Sequence, residues 1–263
     1  MSDPGDIAKL DAAISAARSL CVLTGAGVSA ESGIPTFRGP EGLWKNYRME
    51  ELATPAAFAR NPMLVWEWYA WRRERMREAQ PNLAHYALAE MEKQFAQRTG
   101  ASFTLVTQNI DGLHERAGSR NIFRLDGSVW NLRCTDCGSE REDYSVPMNP
   151  FPPLCANEGS EGGCCNEMMR PGVVWFGEVL PEAALRESLE AAVASDLFLV
   201  VGTSALVYPA ATLPLVAKQQ GARLIEINPE LTPLSEVADL TLTGKAGEVL
   251  GALLPWGIRR QVV

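Results

Sequence analysis

Apolar residues in this chain fall into two rhythms, short unbroken runs and longer stretches where they recur every three or four positions. Ile7, Leu10 and Ile14 have the helical spacing, and Asp3 before Pro4 supplies a cap, so a first helix is expected to run to about Arg18. The run at 20–23 has strand length. From Leu52 to Arg77 the pattern predicts helices broken at Pro55 and Pro62, with Trp66, Tyr69 and Met76 on one side and arginines opposite. Pro81 resets the chain, and Leu88, Met91 and Phe95 mark another amphipathic helix. Strands are expected over 103–107 and 122–125. Beyond residue 165 the order is regular: helix 182–195, strand 197–201, helix 209–220, strand 223–227, strand 239–242 and helix 247–254.

Strands alternating with helices predict an α/β fold, a Rossmann-like parallel sheet covered by helices on both faces. Two insertions interrupt the alternation, at about 40–80, which is helical, and at about 130–170, which is cysteine-rich. Together they are expected to form a smaller inserted domain with zinc-binding and helical parts. The larger domain would hold about 1–39, 81–129 and 171–263, the whole chain 1–263 forming one catalytic unit. A cleft between the two would then take the ligands.

Charge narrows the partners. A net charge of -8 and a pI near 5.0 argue against a sequence-independent grip on nucleic acid, which needs clustered Lys and Arg. No stretch is long and apolar enough to span a bilayer, and the first residues carry Asp3 and Asp6 rather than a basic, apolar leader. The expectation is a cytoplasmic monomer that binds neither membrane nor nucleic acid. Five of six cysteines lie between Cys134 and Cys165, which in a reducing compartment favours a metal site over disulfides. Cys134-x-x-Cys137, followed by Cys155 and by Cys164 or Cys165, approximates the spacing of a closed tetrahedral zinc site. Its role would be folding, because Val146, Met148, Phe151 and Leu154 form too small an apolar set to hold the segment. Cys21 is expected to be buried packing.

After the first strand the chain reads Gly25-Ala26-Gly27-Val28-Ser29-Ala30, a G-x-G-x-x-A turn. Gly25 suits the tight turn, Gly27 a close backbone approach to a phosphate, and Ala30 close packing. The continuation Glu31 to Arg38 adds Gly33, Pro35, Phe37 and Arg38 in an irregular segment of the kind that covers a ligand. Further on come Thr107-Gln108-Asn109-Ile110-Asp111, Val173-Val174-Trp175-Phe176-Gly177-Glu178 and Gly202-Thr203-Ser204.

These four motifs, in this order and spread over nearly the whole chain, resemble the sirtuins, the NAD-dependent protein lysine deacylases. The resemblance implies that NAD is held by Gly25, Ala26, Gly27, Ser29, Ala30, Phe37, Arg38 and Trp44. Gln108, Asn109, Ile110 and Asp111 would surround its ribose and nicotinamide, and Gly202, Thr203 and Ser204 a further stretch. Asn228, Pro229 and Glu230 would lie by the adenosine end and Ala246 near the adenine. In such enzymes the acyl-lysine oxygen attacks the nicotinamide ribose, nicotinamide leaves, and a histidine acts as general base on the resulting alkylimidate's ribose hydroxyl. Asn109 and Asp111 would serve that chemistry. The family's spacing before Arg170-Pro171 favours Cys165 over Cys164, giving Cys134, Cys137, Cys155 and Cys165 around one structural Zn2+.

One position departs. Where sirtuins read His-Gly-Ser, this chain reads Asp126-Gly127-Ser128. An unperturbed aspartate has a pKa about 2–3 units below imidazole. Deacylation slower by about 10²–10⁴ is therefore expected, with burial of Asp126 able to recover part of the loss. His85, a helix-start packing residue, and His114 are poor substitutes. The departure leaves two other outcomes open: NAD spent on ADP-ribosyl transfer or hydrolysis, or a module that binds NAD and acyl-lysine without catalysis.

Tyr69 and Arg72 lie three apart on a predicted helix, hence on one face. Tyr-x-x-Arg after Trp-Glu resembles the sirtuin subgroup that removes succinyl, malonyl and glutaryl groups and also accepts acetyl-lysine. An Arg fork and a phenol can hold the distal carboxylate of such an acyl chain. The peptide is expected to pair as a strand between Val174, Trp175, Phe176, Gly177 and Glu178 on one side and the loop at Val207 and Tyr208 on the other.

Overall fold

The computed structural model describes residues 3–36, 43–44, 47–156 and 165–255. The chain opens with helix α1 (Pro4–Ala16), capped by the Asp3 carboxylate on Gly5 N–H, and strand β1 (Ser19–Thr24). The helix stops short of Arg18 for a visible reason. Arg98 donates to the carbonyls of Ile14, Ser15 and Ala17, and the Asp196 carboxylate accepts from the N–H groups of Arg18 and Ser19. Both ends of the connection are thereby satisfied outside a helix. A 3-10 segment, Ala26–Ser32, follows β1.

The first insertion contains a two-stranded hairpin, β2 (Leu43–Trp44) and β3 (Tyr47–Arg48), and three helices, α2 (Met49–Leu52), α3 (Pro55–Arg60) and α4 (Pro62–Glu78). Pro55 and Pro62 sit at first helical positions, where a missing N–H costs nothing. Thr54 and Asn61 cap the two helices through their side chains. The arginine side of α4 is not uniformly solvated as the pattern suggested. Arg73 is 1% exposed and Arg72 is 8% exposed, because the second insertion packs on α4 from that direction.

Helix α5 (Leu83–Ala96), strand β4 (Ser102–Thr107), helix α6 (Leu113–Ala117) and strand β5 (Ile122–Arg124) bring the chain back to the sheet of β1. The second insertion is a three-stranded antiparallel sheet of β6 (Gly127–Cys134), β7 (Glu140–Glu142) and β8 (Met169–Val173), in the order β7-β6-β8. The pattern gave no sign of it. Then come α7 (Glu182–Ala194), β9 (Leu197–Val201), α8 (Leu213–Gln219), β10 (Arg223–Asn228), β11 (Leu240–Thr243) and α9 (Ala246–Gly251). The single helix expected over 209–220 is a 3-10 turn, Ala210–Thr212, leading into α8.

The main sheet has six parallel strands in the order β11-β10-β9-β1-β4-β5. Its central strands are buried on both faces, which is why they read as unbroken apolar runs. One core lies under α1, α5 and α9, around Leu20, Val22, Leu105, Leu199 and Ile225. The opposite face packs Cys21, Leu23, Val106, Phe198 and Val200 against α7 and α8. Cys21 is core packing as expected, its thiol pushed up to about 12 by burial. A third core joins the insertions around Trp66, Trp68, Tyr69, Trp130 and Trp175. It holds the cysteine module by far more than the small set considered from sequence. Of that set Met148 is buried and Phe151 is exposed. Among the described residues no helix is long and apolar enough to cross a membrane.

Candidate active site and metal centre

The strand order turns at β1. The chain crosses from β1 to β4 on one side and later enters β9 on the other, and ligands of such sheets bind at that switch, outside the carboxyl ends of the strands. The loops there are locked together. Gly27 N–H donates to the Gly202 carbonyl at 2.7 Å, and a Cβ at Gly27 would lie 2.7 Å from that oxygen. Gly202 has φ +62°, and a Cβ there would meet Val28 N at 2.4 Å. The close approach that Gly27 allows is thus already used against β9's loop, which fixes the two loops against each other. Ala30 is exposed and does not provide the close packing read from the motif.

Around this switch the polar side chains interlock. Ser29 donates to Asp111 Oδ2 at 2.8 Å and accepts from Asn109 Nδ2 at 3.1 Å. Asp111 Oδ1 accepts from Leu113 N–H at 2.9 Å, and the Asp111 carbonyl accepts from Trp130 Nε1 at 2.8 Å. Burial raises the Asp111 carboxyl, opposed by the bonds from Leu113 and Ser29. Gln108 Oε1 accepts from Thr203 Oγ1 at 3.2 Å, joining the β4 and β9 ends. Ile110 is half-buried beside this network and Ser204 half-buried beyond Thr203. Asn228 closes a local turn, its Nδ2 donating to the Glu230 carbonyl at 2.7 Å, with Pro229 and Glu230 exposed. Ala246 is buried at the start of α9, where Gly247 N–H is held by Glu31 at 2.6 Å. Phe37 and Arg38 lie outside the described residues, as does the side chain of Trp44.

The two histidines sit behind the network. His85 Nδ1 accepts from Asn82 N–H at 3.2 Å, so the neutral ring carries its proton on Nε2, 3.4 Å from Ser29 Oγ. Thr24 donates to Thr107, so His114 Nε2 donates to Thr24 at 3.0 Å, leaving His114 Nδ1 buried without a partner among the described residues. Burial, then the neighbouring His114 and Arg116, hold His85 well below its usual value, and burial lowers His114 to about 3. Both are buried and committed inside the fold.

Asp126 stands between β5 and β6. Gly127, at φ +76°, carries the turn, and a Cβ there would lie 2.4 Å from the Gly172 carbonyl, so β6 runs tightly against β8. The Asp126 carbonyl accepts from Val174 N–H at 2.9 Å, setting the residue beside the Val174–Glu178 segment. Its carboxylate has no hydrogen-bond partner among the described residues. Burial of that carboxylate raises it to about 7.

From the other side α4 contributes Tyr69 and Arg72. Tyr69 is fully buried, and its hydroxyl accepts from Trp175 Nε1 at 2.9 Å. The Arg72 guanidinium stacks 5.1 Å from the Trp68 ring centroid and 5.8 Å from that of Tyr69. It also lines a small cleft with Ile34, Pro35, Trp71, Arg75 and Met76. Burial lowers the Arg72 pKa, while Tyr69 and Asp111 favour its charge. Trp175 is buried, Phe176 and Gly177 are exposed, and Val207 and Tyr208 are exposed on the loop after β9.

A family profile described as the Sir2 family matches residues 25–209. The NAD-dependent protein deacylase 1 of Archaeoglobus fulgidus is 52% identical over 94% of this chain and 96% of that protein. The chain belongs to the Sir2 family. Among solved structures, a Sir2 homologue complexed with 2'-O-acetyl ADP-ribose shares 51% identity, covers 96% of both chains and superposes with a TM-score of 0.85. A Sir2 complex with a p53 peptide and NAD+ shares 33% identity over 93% of this chain and 95% of that one, with a TM-score of 0.80.

The metal centre of this Sir2-family chain is built by the β6–β8 sheet. The sulfurs of Cys134, Cys137, Cys155 and Cys165 all lie within 4.8 Å of one another. Cys134 and Cys165 are 3.6 Å apart and Cys137 and Cys155 are 3.7 Å apart. A tetrahedral zinc with Zn–S bonds of about 2.3 Å requires edges of about 3.8 Å, so the four thiols fit one closed structural zinc. Among the described residues Cys165 completes the set, and Cys164 lies outside them. Asp136 N–H points at Cys134 Sγ from 3.4 Å, as a knuckle turn around a thiolate would place it.

Sequence reasoning missed three supporting residues. Trp130 orients Asp111 from β6. Arg73 donates to the Asp143 carboxylate at 3.0 Å and to the Ser145 carbonyl at 3.3 Å, tying α4 to the cysteine module. Arg170 forks onto Glu178, its Nη1 at 2.6 Å from Oε1 and its Nη2 at 2.8 Å from Oε2. Burial would raise the Glu178 carboxyl, but the Arg170 and Trp175 hydrogen bonds hold it below the usual range. An arginine among several reads as a solvated face, and nothing in the sequence says which one turns inward.

Proposed function

We propose that this chain is an NAD-dependent protein-lysine deacylase, acting on succinyl-, malonyl- and glutaryl-lysine and also on acetyl-lysine, with Asp126 in the place of the general base. Family membership and the deacylase names of its relatives support the reaction class. The observation that carries the acyl preference is the buried pair from α4. Tyr69 and Arg72 face the same core, and Tyr69 is hydrogen-bonded to the tryptophan of the segment that would hold the peptide. A buried guanidinium with a phenol beside it favours a carboxylate-tipped acyl chain by charge-assisted bonding.

The donor set at the strand ends suits a dinucleotide: uncharged polar groups on Ser29, Gln108, Asn109 and Thr203, one buried carboxylate on Asp111, and glycines at 25, 27 and 202. NAD, when bound, supplies the electrophilic ribose carbon and the nicotinamide leaving group. Asn109 and Asp111, held through Ser29, would orient that ribose. The Val174–Gly177 segment and the loop at Val207 would pair with the peptide, and Arg72 would neutralise the acyl carboxylate.

Asp126 would take a proton at its carboxylate. With a pKa of about 7 it is half ionised near neutral pH, close to what imidazole offers. The raised value restores the base strength that an ordinary aspartate lacks, and the shorter side chain is the remaining deficit. The expected penalty is therefore at the low end of the range, on the order of 10² in kcat.

The test is a mass-spectrometric assay with NAD and a succinyl-lysine peptide, comparing this chain with Asp126→His. O-succinyl-ADP-ribose formed about 10² faster by the His form is the expected result. Equal rates would show that Asp126 imposes no deficit. Free or protein-bound ADP-ribose without the O-acyl product would mean NAD hydrolysis or ADP-ribosyl transfer instead.

A further inference from the structure

Glu178 and Arg170 form a closed loop of contacts under the peptide-facing segment. Arg170, on β8, presents both Nη atoms to both carboxylate oxygens of Glu178, and its Nη2 also donates to the Val173 carbonyl at 3.0 Å. Glu178 Oε2 accepts from Trp175 N–H at 2.9 Å, and Glu178 N–H returns to the Trp175 carbonyl at 2.9 Å. The guanidinium lies 3.5 Å from the Trp175 ring centroid, so the indole is clamped flat. The other edge of that indole donates to Tyr69 Oη. One chain of contacts thus runs Glu178–Arg170–Trp175–Tyr69, from the turn that follows β8 to the buried phenol of α4.

The segment is held from below and open above. Val174 N–H goes to the Asp126 carbonyl and Phe176 N–H to the Ala53 carbonyl, both at 2.9 Å. Phe176 remains 45% exposed and Val179 90% exposed. Arg170 Nε is buried with no partner among the described residues, a cost that a pair selected only for stability would avoid and that functional sites tolerate. A bidentate fork constrains angle as well as distance, so it sets the register of the strand more tightly than a single ion contact.

We propose that the Arg170–Glu178 pair is a positioning device that fixes the peptide-pairing segment and the Tyr69 hydroxyl in one register, coupling peptide binding to acyl recognition. This rests on the deacylase reading above. Neither residue needs to touch the reacting atoms.

The experiment measures binding of fluorescent succinyl-lysine and acetyl-lysine peptides, with ADP-ribose present, to the full chain and to Arg170→Gln, Glu178→Gln and the double variant. Melting temperature and ADP-ribose affinity are measured in parallel. Each single variant is expected to weaken succinyl-peptide binding about tenfold. The double variant should be no weaker than the worse single, and the succinyl-over-acetyl ratio should fall while ADP-ribose affinity stays within about twofold. Unchanged peptide affinity, or losses of peptide and ADP-ribose affinity in equal proportion, would overturn the inference. Should a Gln variant fail to fold, Glu178→Asp keeps the charge, shortens the reach and is judged by the same ratios. If the unaltered chain binds neither peptide, the deacylase reading falls and the inference with it; if it binds both and the variants do too, only the inference falls.

Discussion

Arg72 carries a charge into a setting of indole and phenol, and its consequences differ between ligands. Its guanidinium stacks on the ring faces of Trp68 and Tyr69 and burial lowers its pKa, so a ligand carboxylate would meet a partly desolvated cation. Charge-assisted bonds of that kind contribute about 1.5–3 kcal/mol. Arg72→Met is therefore expected to lower kcat/KM for a succinyl-lysine peptide by about 10–10²-fold and for an acetyl-lysine peptide by much less. Steady-state kinetics on the two peptides decides it, and equal losses would assign Arg72 to packing alone. Tyr69 and Arg72 were legible from sequence because their helical spacing fixes a common face whatever surrounds it. Arg73 and Arg170 were not, since inward and solvated arginines carry the same one-dimensional signal. The Asp126 side chain lies between these cases: its identity was plain, but its raised pKa depends on the packing of β6 against β8.

At the scale of elements, the central strands of the six-stranded sheet were readable because burial on both faces leaves unbroken apolar runs, and β9 was found residue for residue. The antiparallel sheet of the cysteine module was not. Its β8 strand contains Pro171 and Gly172, which argue against a strand, and its pairing with β6 slips between Gly127 and Leu132. Alternation was erased by the bulge, and the register comes instead from Gly172 seated where any Cβ would strike Asn131 at 2.6 Å. Such a sheet is expected to depend on its metal even with α4 packed against it. Removal of zinc by a chelator is expected to release one ion per chain, expose the four thiols of Cys134, Cys137, Cys155 and Cys165 to a thiol reagent and lower the melting temperature. Cys165→Ser should lower the zinc content of the purified chain. Full zinc loading of that variant would refute the assigned ligand set.

For the molecule as a whole, the buried titratable groups pull stability in opposite directions. His85 and His114 have folded values below the unfolded value of about 6.5, so they contribute stability that is present above that pH and lost as pH falls. Asp126 behaves in reverse. Its folded value of about 7 lies above the unfolded value of about 3.9, so its contribution is present at low pH and lost as pH rises through 7. Asp111, also raised, acts in the same sense as Asp126. Between pH 5 and 6 the unfolded chain binds about 1.5–1.9 histidine protons that the native chain does not, while the native chain holds the proton on Asp126. The unaltered protein should therefore show a shallow rise of stability with pH in this window. Asp126→Asn removes one native-state proton and leaves the histidines unopposed. Its stability should rise with pH more steeply than that of the parent, by up to about 1.4 kcal/mol per pH unit. Urea unfolding of both forms at three pH values from 5 to 6 measures the difference in slope. Parallel slopes would mean that Asp126 is ionised throughout the window, and the base assigned to it would then have the strength of an ordinary aspartate.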